Sequence, residues 1–174
     1  LNVFSGQKDP DFYYGEAVEL TLQELRRNTE AYSGMKVAFS GVVTTNDNNS
    51  VYVESYDPET DMYYGMAVYY GYALNGTGLQ ILSVGNRVRI VGTVQYYETG
   101  GSYQVSGLEY SPMRPTDPNN IQQLGEGFAP AYVKTSPADF HGEVTLTLEE
   151  GSKTFPYAEL ALYTSLEMQD LRVV

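Results

Sequence analysis

From residue 35 onward apolar and polar residues alternate through three successive runs, pause over a stretch that suits one or two helical turns, and alternate again through two more runs. Three strands, a short helix and two strands, in that order, predict a mainly β fold: a five-stranded Greek-key barrel of the OB type. The expected layout is a lead-in with a short N-terminal helix at 1–34, the barrel at 35–110 and a Pro-rich connector at 111–131. Residues 132–174 are then either a C-terminal β extension or the opening of a truncated second OB-like module.

The elements follow in order. Residues 1–15 are polar and punctuated by Gly and Pro. Val18, Leu22 and Leu25 then fall at helical spacing, and Thr21 and Glu24 stand as a capping box, so a short helix reaching Asn28 is expected to plug one end of the barrel. After Gly34 the period becomes two. Met35, Val37, Phe39, Gly41 and Val43 alternate with Lys36, Ala38, Ser40, Val42 and Thr44, which predicts a strand with one buried face. Asn46, Asp47, Asn48 and Asn49 make a turn, because Asn and Asp tolerate left-handed backbone and bond their own main chain. The second strand carries Val51 and Val53 inward, and the third is expected at 66–72. One or two helical turns fit 76–85, a fourth strand 87–97, a hairpin turn 98–101 and a closing strand 102–110. Val37, Phe39, Val43, Val51, Val53, Val88, Ile90 and Val94 form the expected core. Beyond the connector, Glu143–Leu148, 155–163 and 166–174 read as strands, and the apolar last one invites pairing with a second copy of the chain.

Composition narrows the function. The chain has 174 residues, of which 42% are hydrophobic, with seventeen Tyr, six Phe and no Trp, so it can build a core. Its net charge of −12 is spread evenly, −3 over 1–34, −4 over 35–110 and −5 over 111–174. Nucleic-acid affinity comes largely from Lys and Arg neutralising phosphates, and ten such residues against twenty-two acids disfavour that partner. Without Cys there is no disulfide, thiol nucleophile or thiolate zinc site. No run of about 18 apolar residues offers a membrane span. A Cys-free, Lys-poor chain rich in Tyr, Asn, Gly and Thr, opening on Leu1, fits an exported product, extracellular or at the cell surface.

Met35-Lys-Val-Ala-Phe-Ser-Gly-Val-Val, Leu82-Ser-Val-Gly-Asn-Arg-Val-Arg-Ile-Val-Gly-Thr-Val-Gln-Tyr-Tyr and Gly101-Ser-Tyr-Gln-Val resemble the first, fourth and fifth strands of bacterial OB-fold modules of exported proteins. Those modules are similar to ones attached to extracellular nucleases and to uncharacterised lipoproteins. The resemblance covers about 76 of the 174 residues and rests on barrel glycines and apolar alternation, so it implies a fold and no catalytic residue. One position departs from the pattern: Asn86 stands where these modules carry Asp.

No motif supports an enzyme or a cofactor. Asp57, Glu59 and Asp61 have the first spacings of a calcium loop, but Met62 and Val68 occupy the positions that need Gly and Glu, and a solvated loop explains the acids better. His141, the single histidine, has no partner motif and reads as a surface residue. Twenty-two acids always offer some pair at glycosidase spacing, so that signal carries nothing. The glycines at 71, 76, 78 and 85 lack the Gly-Lys ending of a phosphate loop.

The tyrosines are the one excess. Tyr13-Tyr14, Tyr63-Tyr64, Tyr69-Tyr70 and Tyr96-Tyr97 are adjacent pairs, and in a strand one member of each faces outward. Strand propensity accounts for many of them; a stacking platform for sugar rings, bases or a partner's side chains is the functional alternative. OB barrels bind on the outer face of strands two and three, so the expected ligand-binding residues are Tyr52, Glu54, Tyr56 and Tyr69, bordered by Arg87, Arg89 and Tyr97. The expected function is a non-enzymatic binding or interaction module for a carbohydrate, peptide or protein, with an OB-type nucleic-acid-binding accessory domain as the alternative.

Overall fold

The Thr21 hydroxyl accepts the Glu24 N–H at 3.1 Å and the Glu24 carboxylate accepts the Thr21 N–H at 2.7 Å, which closes the capping box that their spacing predicts. The Thr21 N–H and the Thr21 hydroxyl, both directed at the Glu24 carboxylate, hold that carboxyl below its usual value. The box starts α1 (Leu22–Arg27), whose Leu22 and Leu25 enter the barrel core. Thr21 caps the helix with extended backbone, so Val18 lies outside it and instead belongs to a two-residue strand, β1 (Val18–Glu19). Residues 17–129 and a hairpin at 143–148 and 151–156 are what the computed structural model of the chain describes.

The strands after α1 are β2 (Lys36–Asn46), β3 (Ser50–Asp57) and β4 (Met62–Tyr69); α2 (Gly76–Ile81) follows, then β5 (Arg87–Tyr97), β6 (Ser102–Ser106) and β7 (Gln122–Gly125). β2, β3 and β4 form an antiparallel meander, β4 pairs in parallel with β6, β6 with β5 antiparallel, and β5 returns antiparallel to β2. This closes a five-stranded barrel in the OB order. β1 pairs in parallel with the first half of β2, and β7 with the first half of β5. β8 (Glu143–Leu148) and β9 (Gly151–Pro156) make an antiparallel hairpin in a sheet of their own.

All eight expected core residues are buried, none more than 1% exposed, together with Tyr64, Met66, Val68, Leu82, Val105 and Ile121. Closure depends on two glycines. Gly41 sits where β2 passes from its partner β5 to its partner β3, and a Cβ there would lie 2.5 Å from the Glu54 carbonyl oxygen. Gly92 sits where β5 passes from β7 to β6, and its Cβ would lie 2.5 Å from the Ser106 carbonyl oxygen. At both bends a neighbouring backbone occupies the space of a side chain.

Several boundaries differ from the sequence reading. β4 runs from Met62 to Tyr69 instead of 66–72, because the β3–β4 turn is short: Asp61 takes a left-handed φ of 55° and the strand resumes at once. It stops at Tyr69 because the Asn49 carbonyl takes the N–H groups of both Tyr70 and Gly71, and Gly71 has a φ of 54°. β6 ends at Ser106, before left-handed Gly107, where a strand to 110 was expected. Within the Pro-rich stretch Gln122–Gly125 adds β7, and Ile121 is fully buried. Of the second run beyond the connector, β9 begins at Gly151, ahead of the expected 155. Tyr13, Tyr14, His141, the run 166–174 and the pairing expected of it lie outside the described residues.

Asn86 replaces the usual Asp for a legible reason. Its amide nitrogen donates to the carbonyl of Ile81 at 3.0 Å, at the end of α2 where helical partners run out, and to that of Gln80 at 3.2 Å, which also takes the N–H and hydroxyl of Ser83. A carboxylate cannot donate. Asn86→Asp is expected to cost about 1–3 kcal/mol in urea unfolding at pH 7, the range for a buried polar group left unsatisfied. Gly41→Ala is expected to cost about 1–3 kcal/mol or more by the same measurement, since backbone must move to admit the methyl group.

Candidate functional site

β3 and β4 pair residue for residue without a bulge, from Ser50 opposite Tyr69 to Asp57 opposite Met62. Val51, Val53, Tyr64, Met66 and Val68 are fully buried, so the alternate positions form the outer face. That face carries four cross-strand rows: Ser50 with Tyr69, Tyr52 with Ala67, Glu54 with Gly65, and Tyr56 with Tyr63. Tyr56, Tyr63 and Tyr69 are 48%, 37% and 41% exposed, while Tyr52 and Glu54 are half-buried. The Tyr56 and Tyr63 rings lie 5.2 Å apart and tilted, and the Tyr56 hydroxyl donates to Asp61 Oδ1 at 2.7 Å. Tyr52, Glu54, Tyr56 and Tyr63 all have interactions beyond these. Between the two groups of tyrosines half-buried Glu54 stands opposite Gly65, which is buried.

The inward partners of the tyrosine pairs support this face from beneath. Tyr64 is fully buried, and its hydroxyl accepts from Arg27 Nε at 2.9 Å. Tyr70 is 4% exposed and its hydroxyl donates to Asn46 Oδ1 at 2.8 Å. Asn46 also donates to the Leu82 carbonyl at 3.0 Å and accepts the Asn48 N–H at 2.9 Å. One amide therefore joins the β2–β3 turn to the end of β4 and to the end of α2. Asp47 takes the N–H groups of Asn49 and Ser50 within the same turn. Burial holds the Tyr70 hydroxyl above its ordinary value of 10.0, although its hydrogen bond to Asn46 acts the other way.

The remaining expected site residues lie elsewhere on the barrel. Arg87 is exposed on β5, in the row that runs through Val42 to Glu54, hence two strands or about 10 Å around the wall. Arg89 faces away from the tyrosines: it forms an ion pair with Glu19 on β1 and donates to the Pro118 carbonyl at 2.9 Å. It ties β1 and the segment leading into β7 to the outside of the barrel. Tyr97 lies against Gly100 at the β5–β6 turn; it and Tyr96 are both 47% exposed because β5 there runs past the core. Tyr63 was missed, because placing the third strand at 66–72 left it in a loop; its parity with Tyr69 was the available signal.

The β3–β4 turn is built by its acids. Asp57 is 6% exposed and its carboxylate accepts the Glu59 N–H at 3.0 Å and the Thr60 hydroxyl at 2.8 Å. Among the described residues no three His, Asp or Glu side chains converge as a metal site, and no helix is long and apolar enough to cross a membrane.

No protein-family model matches this sequence, and no curated protein matches it. Among solved structures the fold is similar to an Entamoeba histolytica asparaginyl-tRNA synthetase in complex with asparaginyl-adenylate (13% identity over 72% of this chain and 25% of that one, TM-score 0.39). It is also similar to an aspartyl-tRNA synthetase of Leishmania major (11% identity, 73% and 24%, TM-score 0.41) and to an OBody bound to hen egg-white lysozyme (20%, 56% and 85%, TM-score 0.35). This chain spans about a quarter of the length of either synthetase. The class is that of OB-type barrels, defined by the strand pairing itself.

The Tyr70 shift sets a pH dependence. A raised value means that folding favours the neutral hydroxyl, so its contribution is complete below pH 10.0 and is lost as pH rises through the higher folded value. In urea unfolding at stepped pH, the stability gap between wild type and Tyr70→Phe is expected to hold constant up to about pH 9 and to narrow above it.

Proposed function

We propose that this barrel is a non-enzymatic binding module of an exported protein, and that it takes its ligand on the outer face of β3 and β4. The observation that carries this reading is the pair of exposed tyrosine groups on the face where OB barrels hold oligomeric ligands. An aromatic ring offers a flat apolar surface at small entropic cost, and its hydroxyl stays at the wet edge. The face is broad and built on paired strands with buried supports, which suits recognition of a chain of rings more than turnover of a single bond. Export is supported by the Tyr-, Asn-, Gly- and Thr-rich, Lys-poor composition.

Single-stranded nucleic acid is the second reading. Tyrosines on this face of an OB barrel stack bases, and Arg87 stands at the margin. Against it, β3 and β4 contain no Lys or Arg, and the acids Glu54 and Asp61 lie on the face or beside it.

The test is a pair of substitutions. Tyr52→Ala with Tyr69→Ala is expected to remove at least tenfold of the affinity for whichever ligand an array of glycans, peptides and oligonucleotides finds, since each stacked ring contributes about 1–3 kcal/mol. Thermal unfolding within a few degrees of wild type shows that the double variant is folded. Wild-type affinity in a folded variant contradicts this use of the face.

A further inference from the structure

We propose that Asn75 is a site of spontaneous covalent modification: its side-chain amide is lost through a succinimide formed with the Gly76 backbone nitrogen, leaving aspartate and isoaspartate at the head of α2. Asparagine is among the heat-labile side chains, and its loss depends on whether the next backbone nitrogen can reach the side-chain carbonyl carbon. A glycine in that next position has no Cβ to stand in the way and turns readily about its own backbone. Asn75-Gly76 is the single place in the sequence where Gly follows Asn.

The fold leaves this pair open to reaction. Both residues are exposed, and nothing stands within 4 Å of the point that a Cβ on Gly76 would occupy. Asn75 precedes α2 with extended backbone (φ −148°, ψ 170°), yet its side chain makes no capping bond of the kind Thr21 makes at α1. The Gly76 N–H is the first of the helix and has no carbonyl of its own helix to bond. Rotation about the Asn75 ψ and the left-handed Gly76 φ of 51° carries this nitrogen towards the side chain, opposed by a 3.4 Å bond from the Leu79 N–H to the Asn75 carbonyl, which is long for its kind. The other described asparagines are held. The nitrogens that follow Asn46, Asn48 and Asn49 donate to the Ser50 carbonyl or to Asp47 Oδ1, and those that follow Asn119 and Asn120 donate to the Asp117 and Glu109 carbonyls. The Asn28 and Asn86 amides are themselves bonded to helix carbonyls, of Glu24 and of Gln80 and Ile81.

The reaction needs only water. The Gly76 nitrogen gives its proton to hydroxide and bonds to Asn75 Cγ; the Cγ–Nδ2 bond breaks, and the nitrogen leaves as ammonia with a proton from water, which closes the succinimide. Water then opens the ring at either carbonyl carbon. Opening at Cγ gives aspartate, and opening at the main-chain carbon gives isoaspartate, in which the backbone runs through Cβ and Cγ. Either product adds one negative charge to the net −12 of the chain. Isoaspartate also lengthens the backbone by a methylene and displaces the carbonyl that the Leu79 N–H bonds. The added length falls between Leu74 and Ile81, 8% and 5% exposed, which seat α2 on the barrel core, so α2 is expected to loosen there.

The full chain is aged in buffer and, separately, in urea, at mildly acidic and mildly alkaline pH. Peptide mapping by mass spectrometry follows each asparagine, and enzymatic methylation of isoaspartate marks that product. In the folded chain Asn75 is expected to convert ahead of every other described asparagine, faster at alkaline pH, and the conversion is expected to be lost in Asn75→Ser, which keeps a favourable helix start. In urea, where the hydrogen bonds around Asn48, Asn49 and Asn119 are gone, those sites are expected to begin converting too. The aged chain is expected to unfold at a lower temperature than Asn75→Asp, which carries the added charge without the added methylene. Asn75 left intact in the folded chain while it converts in urea overturns the proposal, and so does conversion of Asn49 or Asn119 before it. An aged chain that contains isoaspartate yet unfolds together with Asn75→Asp overturns the loosening of α2.

Discussion

The approach of backbone to backbone at Gly41 and Gly92 is the constraint on which this fold depends. β2 passes from β5 to β3 around Gly41 and β5 passes from β7 to β6 around Gly92, and at each glycine a carbonyl oxygen of a neighbouring strand lies where a Cβ would stand. Without those bends β2 would continue beside β5, and the meander from β3 to β4 would have no angle from which to close onto β6. The bends also leave the edges at the first halves of β2 and β5 open, and β1 and β7 cover them. Arg89, bonded to Glu19 and to the Pro118 carbonyl, holds both additions to the wall. A residue that reads in sequence as an outward cation on a binding face is thus a clasp of the scaffold.

The same closure presents the tyrosine face. With Val51, Val53, Met66 and Val68 committed to the core, strict alternation gives Tyr52, Glu54, Tyr56, Tyr63 and Tyr69 no direction but outward. The rim beside them is held by hydrogen bonds that converge on Asn46, with Tyr70 as the buried post. In the proposed use of this face, the turn that borders it is ordered before any ligand arrives, which lowers the ordering entropy that opposes binding.

Period-two alternation made the barrel legible. Over 87–97 Val88, Ile90 and Val94 keep the period although Val91 is also buried, and β5 matches its expected limits at both ends. The eight core residues follow from it directly. What alternation could not mark is where pairing begins and ends, since that is decided by contacts distant in sequence. Tyr70 has strand-like neighbours but leaves β4 because the Asn49 carbonyl, over on the β2–β3 turn, captures its N–H. β1 is two residues long and β7 four, too short to show a period, and β7 lies among prolines and asparagines that suggest a loop. For the candidate site, parity sufficed for Tyr52, Tyr56 and Tyr69. Tyr63 was hidden by the misplaced start of β4, and the tether of Arg89 by its dependence on Glu19, seventy residues away.

The central claim is that the outer face of β3 and β4, among all the tyrosine-bearing surfaces of this chain, is where the ligand sits. NMR of the full chain with isotope-labelled tyrosine rings reads that claim directly, once each ring is assigned. On titration with the bound ligand, the ring signals of Tyr52, Tyr56, Tyr63 and Tyr69 are expected to shift together with one saturation curve, while those of Tyr72, 96% exposed and off this face, and of Tyr97 hold still. Shifts confined to Tyr72 or to Tyr96 and Tyr97, with the four rings of β3 and β4 unmoved, contradict the account.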